Sequence, residues 1–304
     1  LPPEALAQEM AKLAASGRPY NVNFFCHVPP EPDAAREAAW RAALAPYYAE
    51  AGIDPATVPA GAGRRPFDAE MAAVLERFRP PVVSFHFGLP APALLARVKA
   101  WGATVWSSAT TVDEARWLVQ HGADAVVAQG LEAGGHRGHF LDHDLTRQMG
   151  TFALLPQIVA AVKVPVIAAG GIADAEGVAA AMALGASAVQ PGTAFLLCPE
   201  ATTSTIHRAA LQSTEAAHTA LTRVFSGRPA RGIVNRLMRE LGPMSGVAPE
   251  FPLAPAALAP RRAWAEKAGR GDFTPLWSGQ NASQCRAVPA AEVVRALAEG
   301  FARG

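Results

Sequence analysis

Short apolar, β-branched runs alternate along the first two thirds of the chain with Ala-rich stretches whose apolar residues recur at helical spacing. Strands are predicted at NVNFF (21–25), VVSFHF (82–87), TVWSS (104–108), DAVVAQ (124–129), VPVIAAG (164–170) and SAVQPG (187–192). Helices are predicted over 68–78, 90–100, 112–121, 151–162 and 174–184, with further ones at 3–16 and 33–50. The end signals agree. Asp68, Glu70, Asp113, Glu114 and Asp174 fall where helix N-termini expose free N–H groups, and Gly102, Gly122 and Gly185 fall where helices stop. The stretch 53–66, with Pro55, Pro59, Gly61, Gly63 and Pro66, reads as a loop. Strand and helix alternating in this way imply βαβ units and a parallel sheet.

The predicted fold is α/β, a TIM (β/α)8 barrel. Six strands are visible where a closed barrel needs about eight. The chain opens on Leu1 and a helix, so a β-α-β unit is expected upstream, absent from this numbering. The competing fold is an open, doubly wound parallel sheet. After Pro199 the pattern changes. Residues 200–224 and 230–241 read as helical, 242–260 is rich in Pro and Ala, a helix is predicted at about 260–268, and an amphipathic helix at 289–302 could close the barrel. The expected organisation is a barrel domain over 1–199 and 286–304, with a smaller helical domain over 200–285.

Composition narrows the function classes. Half of the 304 residues are hydrophobic and 17% are charged, enough apolar matter for a large core. A net charge of +1 without charge blocks gives no basic face for nucleic acid or a membrane surface. There is no long uncharged apolar run and no signal-peptide pattern. Three distant cysteines, Cys26, Cys198 and Cys285, are a poor disulfide framework and fit a reducing cytoplasm.

Three segments carry chemistry. In PVIAAGGIAD (165–174) an apolar strand runs into Gly170 and Gly171, and a helix opens at Asp174; in GASAVQPGTAF (185–195) a strand ends at Gly192 and Thr193. Glycines let the backbone approach a ligand, and a helix N-terminus offers N–H donors to a phosphate. If two strands lie upstream, these are strands seven and eight, whose loops commonly bind phosphate in such barrels. In AQGLEAGGHRGH (128–139) a strand ends at Gln129 and glycines surround His136, which there could face the active-site mouth with a pKa suited to proton transfer. A solvent-facing turn histidine is the plainer reading. His136, His139 and His143 lack the supporting acids or cysteines of a metal site. Asn23, Ser84, His86, Ser107 and Ser108 are further polar residues near strand ends, each equally a turn hydrogen-bonder. There is no P-loop and no GxSxG elbow, and GAGRRP (61–66) is not a dinucleotide fingerprint.

With EAGGH, AAGGIAD and VQPGTAF together, the chain resembles the nitronate monooxygenase family, with PYNVNFFCH (19–27), FSGRPARGIVNR (225–236) and PLWSGQNAS (275–283) extending the match over almost its whole length. The glycine motifs are shared with FMN-dependent enoyl-acyl carrier protein reductases; FSGRPARG and the Trp277–Gln280 stretch favour the monooxygenase. The resemblance implies an FMN-binding barrel and a smaller helical substrate domain. It implies that Gly170, Gly171, Gly192 and Thr193 hold the FMN phosphate and that Asn23, Lys99 and Gln129 contact the ribityl chain or the flavin ring. It implies further cofactor contacts from Gly134, Gly135, Ala169, Gln190, Trp277, Gly279 and Gln280, and makes His136 the active-site histidine. The implied reaction is oxidation of alkyl nitronates, such as propionate 3-nitronate, by O2 to a carbonyl compound and nitrite. His136 would be a base on a neutral nitroalkane or, as imidazolium, a partner for the nitronate charge. Arg228, Arg231 and Arg137 are candidates for a substrate carboxylate. A homodimer is compatible with such barrels. The alternatives are an NAD(P)H-dependent enoyl reductase and a phosphate-binding barrel without flavin, either non-catalytic or a sugar- or nucleotide-phosphate isomerase.

Overall fold

The computed structural model describes residues 1–59 and 63–302. Of the loop expected over 53–66, with its GAGRRP segment, residues 60–62 lie outside the described residues. Six parallel strands form one sheet: β1 (Asn21–Phe25), β2 (Val82–His86), β3 (Thr104–Ala109), β4 (Ala125–Gln129), β6 (Val166–Ala169) and β7 (Ala188–Val189), in that spatial order. The two-residue β5 (Gly135–His136) lies between β4 and β6 in sequence and belongs to a second sheet. Each strand of the large sheet pairs with the next one along the chain, so the order never reverses. A doubly wound sheet reverses at its switch point. The unbroken order is that of a (β/α) barrel.

Four of the helices that alternate with these strands begin where a side chain caps the first turn. Asp33 accepts the Arg36 N–H at the start of α2 (Ala34–Ala51), after the opening α1 (Pro3–Ala15). Asp68 accepts from Glu70 and Met71 at α3 (Ala69–Phe78), Thr111 from Glu114 at α5 (Val112–Gln120), and Asp174 from Gly177 at α7 (Ala175–Ala183). Such a cap is worth about 1 kcal/mol. The remaining barrel helices are α4 (Pro92–Ala100) and α6 (Thr151–Ala161). Gly102, Gly122 and Gly185 leave helices at φ of +86°, +102° and +95°, open only to glycine without strain. The central strand β4 is buried along its length, packed on one side by Leu118, Leu154 and Ile158.

The C-terminal third departs from the expected helices. Helix α8 (Thr205–Leu211) stops early, and β8 (Thr219–Thr222) and β9 (Ala230–Ile233) pair antiparallel. Thr219, Thr222 and Val224 favour extended backbone, Pro229 and Gly232 oppose helix, and Asn235 caps Met238 N–H so that α9 (Arg236–Leu241) begins only there. Helix α10 (Ala254–Lys267) begins six residues before the predicted start. β5 pairs with β9 and completes a three-stranded sheet over the barrel mouth.

Helix α2, expected as part of a barrel unit, instead packs into the core of this upper structure. Its Trp40, Leu44, Tyr47 and Tyr48 share one apolar cluster with Val224, Phe225, Leu237, Met238, Leu258 and Phe273. Trp40 Nε1 donates to Ala254 O at 3.1 Å and Tyr48 OH to Ala257 O at 2.6 Å, so both buried polar tips are satisfied. At the other end α11 (Ala290–Ala298) lays Val293 and Leu297 against Val178 of α7, beside Val189 of β7.

Candidate active site

A cavity of about 470 Å³ opens at the C-terminal ends of the parallel strands. Of the residues expected there, Asn23, Gln129, Gly134, Gly135, His136, Ala169, Gly170, Gly171, Gln190, Gly192, Thr193, Trp277 and Gly279 line it. Two expected residues do not. Lys99 lies on α4, and its Nζ is 2.8 Å from Asp124 Oδ1, just before β4 and so at the opposite end of the strands. Gln280 is exposed and meets the site only through its neighbour, its N–H donating to Glu132 O at 3.0 Å.

The end of the cavity at Gly170, Gly171, Gly192 and Thr193 is built largely of backbone. Gly170 and Gly171 turn the chain after β6 at φ of +118° and +73°. A Cβ on Gly170 would lie 2.9 Å from Thr151 Oγ1, whereas around Gly192 there is open space. The N–H groups of Gly171, Ile172, Thr193 and Ala194 make no hydrogen bond within the described residues, and all four residues line the cavity. Four unpaired donors around a glycine-walled space form a cradle for an anion. Gly134 and Gly279 have a different reason: their backbones touch, and a Cβ on Gly134 would stand 2.5 Å from Gly279 N. They let the His136 loop and the 278–280 segment close together.

The polar floor is a set of linked hydrogen bonds. Asn21 Nδ2 donates to Ser84 Oγ, which donates to Asn23 Oδ1, both at 2.9 Å. Gln129 Nε2 donates to His136 O at 2.9 Å while its Oε1 accepts Gly138 N–H at 2.7 Å, fixing both sides of the histidine turn. His86 bridges Ser108 Oγ (3.0 Å) and His136 O (3.1 Å). Asn21 and Asn281 also line the cavity and were not anticipated. The sequence signal for Asn21 was available, since it stands two residues before Asn23 and so on the same strand face.

His136 is held on strand β5, opposite Ala230 of β9. Its ring stands among Phe25, Phe87, Phe251 and Trp277, with centroids 5.2 to 6.0 Å away. Nε2 is 2.9 Å from Ser226 Oγ, and that hydroxyl donates to Arg228 O at 3.1 Å. With its proton committed to a carbonyl, Ser226 offers His136 a lone pair, so Nε2 carries the hydrogen and Nδ1 the free pair. Burial lowers the His136 pKa from 6.5 to about 3, helped by the charges of Arg228 and Arg64 and by neighbouring His86 and His27. Burial likewise lowers His86 to about 4. The imidazole is therefore neutral at neutral pH.

The candidate arginines divide. Arg137 is wholly buried and fully used, donating to Gln148 Oε1, Gly130 O and Gln129 O at 2.6 to 2.8 Å. Arg231 donates to Leu131 O and Thr219 Oγ1. Neither lines the cavity, and Arg228 faces elsewhere. His139 and His143 meet edge to face, with ring centroids 5.4 Å apart, and among the described residues no group of three or more His, Cys, Asp or Glu is placed to hold a metal ion.

A family model described as nitronate monooxygenase matches residues 1–300. A nitronate monooxygenase of Pseudomonas aeruginosa is 43% identical over 97% of this chain and 84% of its own length. One of Paraburkholderia phytofirmans is 41% identical over 93% and 78%. Among solved structures, a nitroalkane oxidase from Streptomyces ansochromogenes superposes with a TM-score of 0.89 at 38% identity, covering 99% of this chain and 86% of its own. FabK from Thermotoga maritima gives 0.69 at 26% identity over 99% and 82%.

Proposed function

The chain belongs to the nitronate monooxygenase family, an oxidoreductase family that acts on nitronates, and from that membership and the cavity we propose that it oxidises alkyl nitronates with O2 at a bound FMN. The observation that carries the cofactor reading is the cradle. Four unpaired N–H groups on two glycine turns fit a phosphate, and the polar floor beyond them suits the ribityl chain and ring. Gly171, Ile172, Thr193 and Ala194 would hold the phosphate; Asn21, Asn23, Gln129 and Trp277 would contact the rest. Bound FMN supplies the electron acceptor that nitronate oxidation needs, with a carbonyl compound and nitrite as products.

The protein's part is positional and acid–base. The aromatic residues around His136 shield part of its ring from water while it still lines the cavity. Ser226 holds Nε2–H, leaving Nδ1 free to take the α-proton of a neutral nitroalkane, a role the low pKa of His136 favours over a standing imidazolium. The segment 200–285, with α2 packed against it, would serve as the substrate domain, since β9 pins the His136 strand. All three cysteines are free thiols, in keeping with a reducing, cytoplasmic setting.

The visible spectrum of the purified protein tests this, taken without oxygen before and after an alkyl nitronate is added. Flavin absorbance that bleaches with nitronate is the expected result. Bleaching by NADH alone would move the assignment to a reductase, and a colourless protein that takes up no FMN would overturn the cofactor. His136→Gln should keep activity on pre-formed nitronate and lose it on the neutral nitroalkane.

A further inference from the structure

A second cavity, of about 740 Å³, lies behind the aromatic residues that surround His136. None of its lining residues lines the first cavity, yet its Phe87 and Phe251 stand in ring contact with His136, so the two spaces are separated by one layer of aromatic rings. Phe87 holds φ of +71°, a strained conformation for a non-glycine residue, which turns its ring into this partition.

Arg228 is a cation of this cavity that lacks an ion-pair partner among the described residues, although Glu250 also lines the wall. Arg228 lies 4.0 Å over the Phe87 ring, and its Nη2 donates to His139 O. Its Nε is buried without a partner, and Nη1 has none among the described residues. Burial lowers the Arg228 pKa only to about 10, so the guanidinium is charged at neutral pH. No described carboxylate forms an ion pair with it. Glu114 is committed to Thr110, Phe140 and Leu141, and Glu250 to Arg36. Arg223 adds a second cation to the wall, held only by long bonds to Gly227 O. A partly desolvated guanidinium without a counter-charge is costly, and an anion removes that cost. The rest of the wall is mixed: Glu250, paired with Arg36, and the histidines His27, His139 and His143 stand beside an apolar part in which Phe87, Phe140 and Phe251 are prominent, and the exposed Val28 and Leu141 stand at its edge.

We propose that this second cavity binds an organic carboxylate with an apolar body, the carboxylate on Arg228 and the body against Phe87, Phe140 and Phe251. A singly charged planar anion matches one guanidinium, whereas a phosphate monoester would find too few donors here and a better cradle in the first cavity. Its occupancy reaches the catalytic side by two routes. Arg228 O is the acceptor that fixes Ser226, and the Arg228 charge is one of the causes depressing His136. Neutralising that charge raises the His136 pKa.

The probe is 4-bromobenzoate, titrated calorimetrically into the holoenzyme and located by bromine anomalous scattering in crystals. One bromine beside Arg228, saturable binding, and no such binding of the neutral 4-bromobenzamide are expected. Arg228→Met should weaken binding about tenfold or more, the equivalent of one charge-assisted contact. Arg223→Gln, which disturbs only a long-bonded residue, should weaken it less. If the carboxylate is the substrate's own, 4-bromobenzoate competes with propionate 3-nitronate and not with the nitronate of 2-nitropropane; if it is a separate ligand, it competes with neither. Either result upholds the site. Bromine in the first cavity, equal binding of the amide, or unchanged affinity in both arginine variants overturns it, and none of these depends on nitronate being the substrate.

Discussion

The neutral state of His136 has a consequence for stability that can be measured without substrate. In the folded protein its pKa is lowered from 6.5 to about 3, chiefly by burial. Below pH 6.5 the unfolded chain therefore takes up a proton that the folded chain refuses. Stability from this group is complete above 6.5 and is lost as pH falls towards the folded value. At pH 5 the unfolded histidine is almost wholly protonated and the folded one almost wholly neutral, a difference of about 2 kcal/mol against folding. His86 and His139, lowered to about 4 and about 3, add losses of the same sign. His136→Gln keeps a donor near Ser226 but removes the titration. Urea unfolding of both proteins at pH 8 and pH 5 should show the variant losing about 2 kcal/mol less than the wild type between the two conditions. Equal losses would mean that His136 is protonated in the folded protein near its ordinary pKa. That result would remove both the buried-neutral assignment and the argument for it as the resting base.

Other substitutions separate residues that hold the fold from those that hold the ligand. Gly170→Ala should cost about 2–3 kcal/mol in a thermal melt, because φ there is +118° and the new Cβ meets Thr151 Oγ1 at 2.9 Å. Gly192→Val should leave stability within about 0.5 kcal/mol, since the position is open and φ is negative, yet reduce bound flavin by filling the cradle. Lys99→Ala should cost less than about 1 kcal/mol and leave flavin content unchanged, the Lys99–Asp124 pair being more than one third exposed at each end. Ser226→Ala should lower kcat/KM on neutral nitroalkanes about 5–10-fold through loss of one hydrogen bond to His136, with Ser226→Thr restoring most of it.

The parts of this fold that sequence alone made legible are those whose cause is local. β4 announces itself because AVVAQ is a short apolar run between a helix-ending glycine and a glycine-rich turn; α7 begins at Asp174 because the carboxylate that caps it is adjacent in the chain. The glycine turn at 170–171 was readable for the same reason, since positive φ and close approach leave a mark in residue type. What escaped depends on partners far along the chain. His136 looks like a turn residue because a strand of two residues has no periodicity; only the pairing with Ala230 makes it a strand, and Ala230 in turn looked helical. Helix α2 shows an apolar face through Trp40, Leu44 and Tyr48, but periodicity states which face is covered, not what covers it. Lys99 shows the converse. A residue assigned by likeness to a family motif stands where its helix puts it, and α4 turns it towards Asp124, away from the cavity. Arg228 combines both situations. Its motif was visible, but its unpaired charge becomes evident only when Glu114 and Glu250 are seen to be engaged elsewhere. Electrostatic need is a property of the assembled surroundings, so it is the feature of a site that a linear reading is least equipped to find.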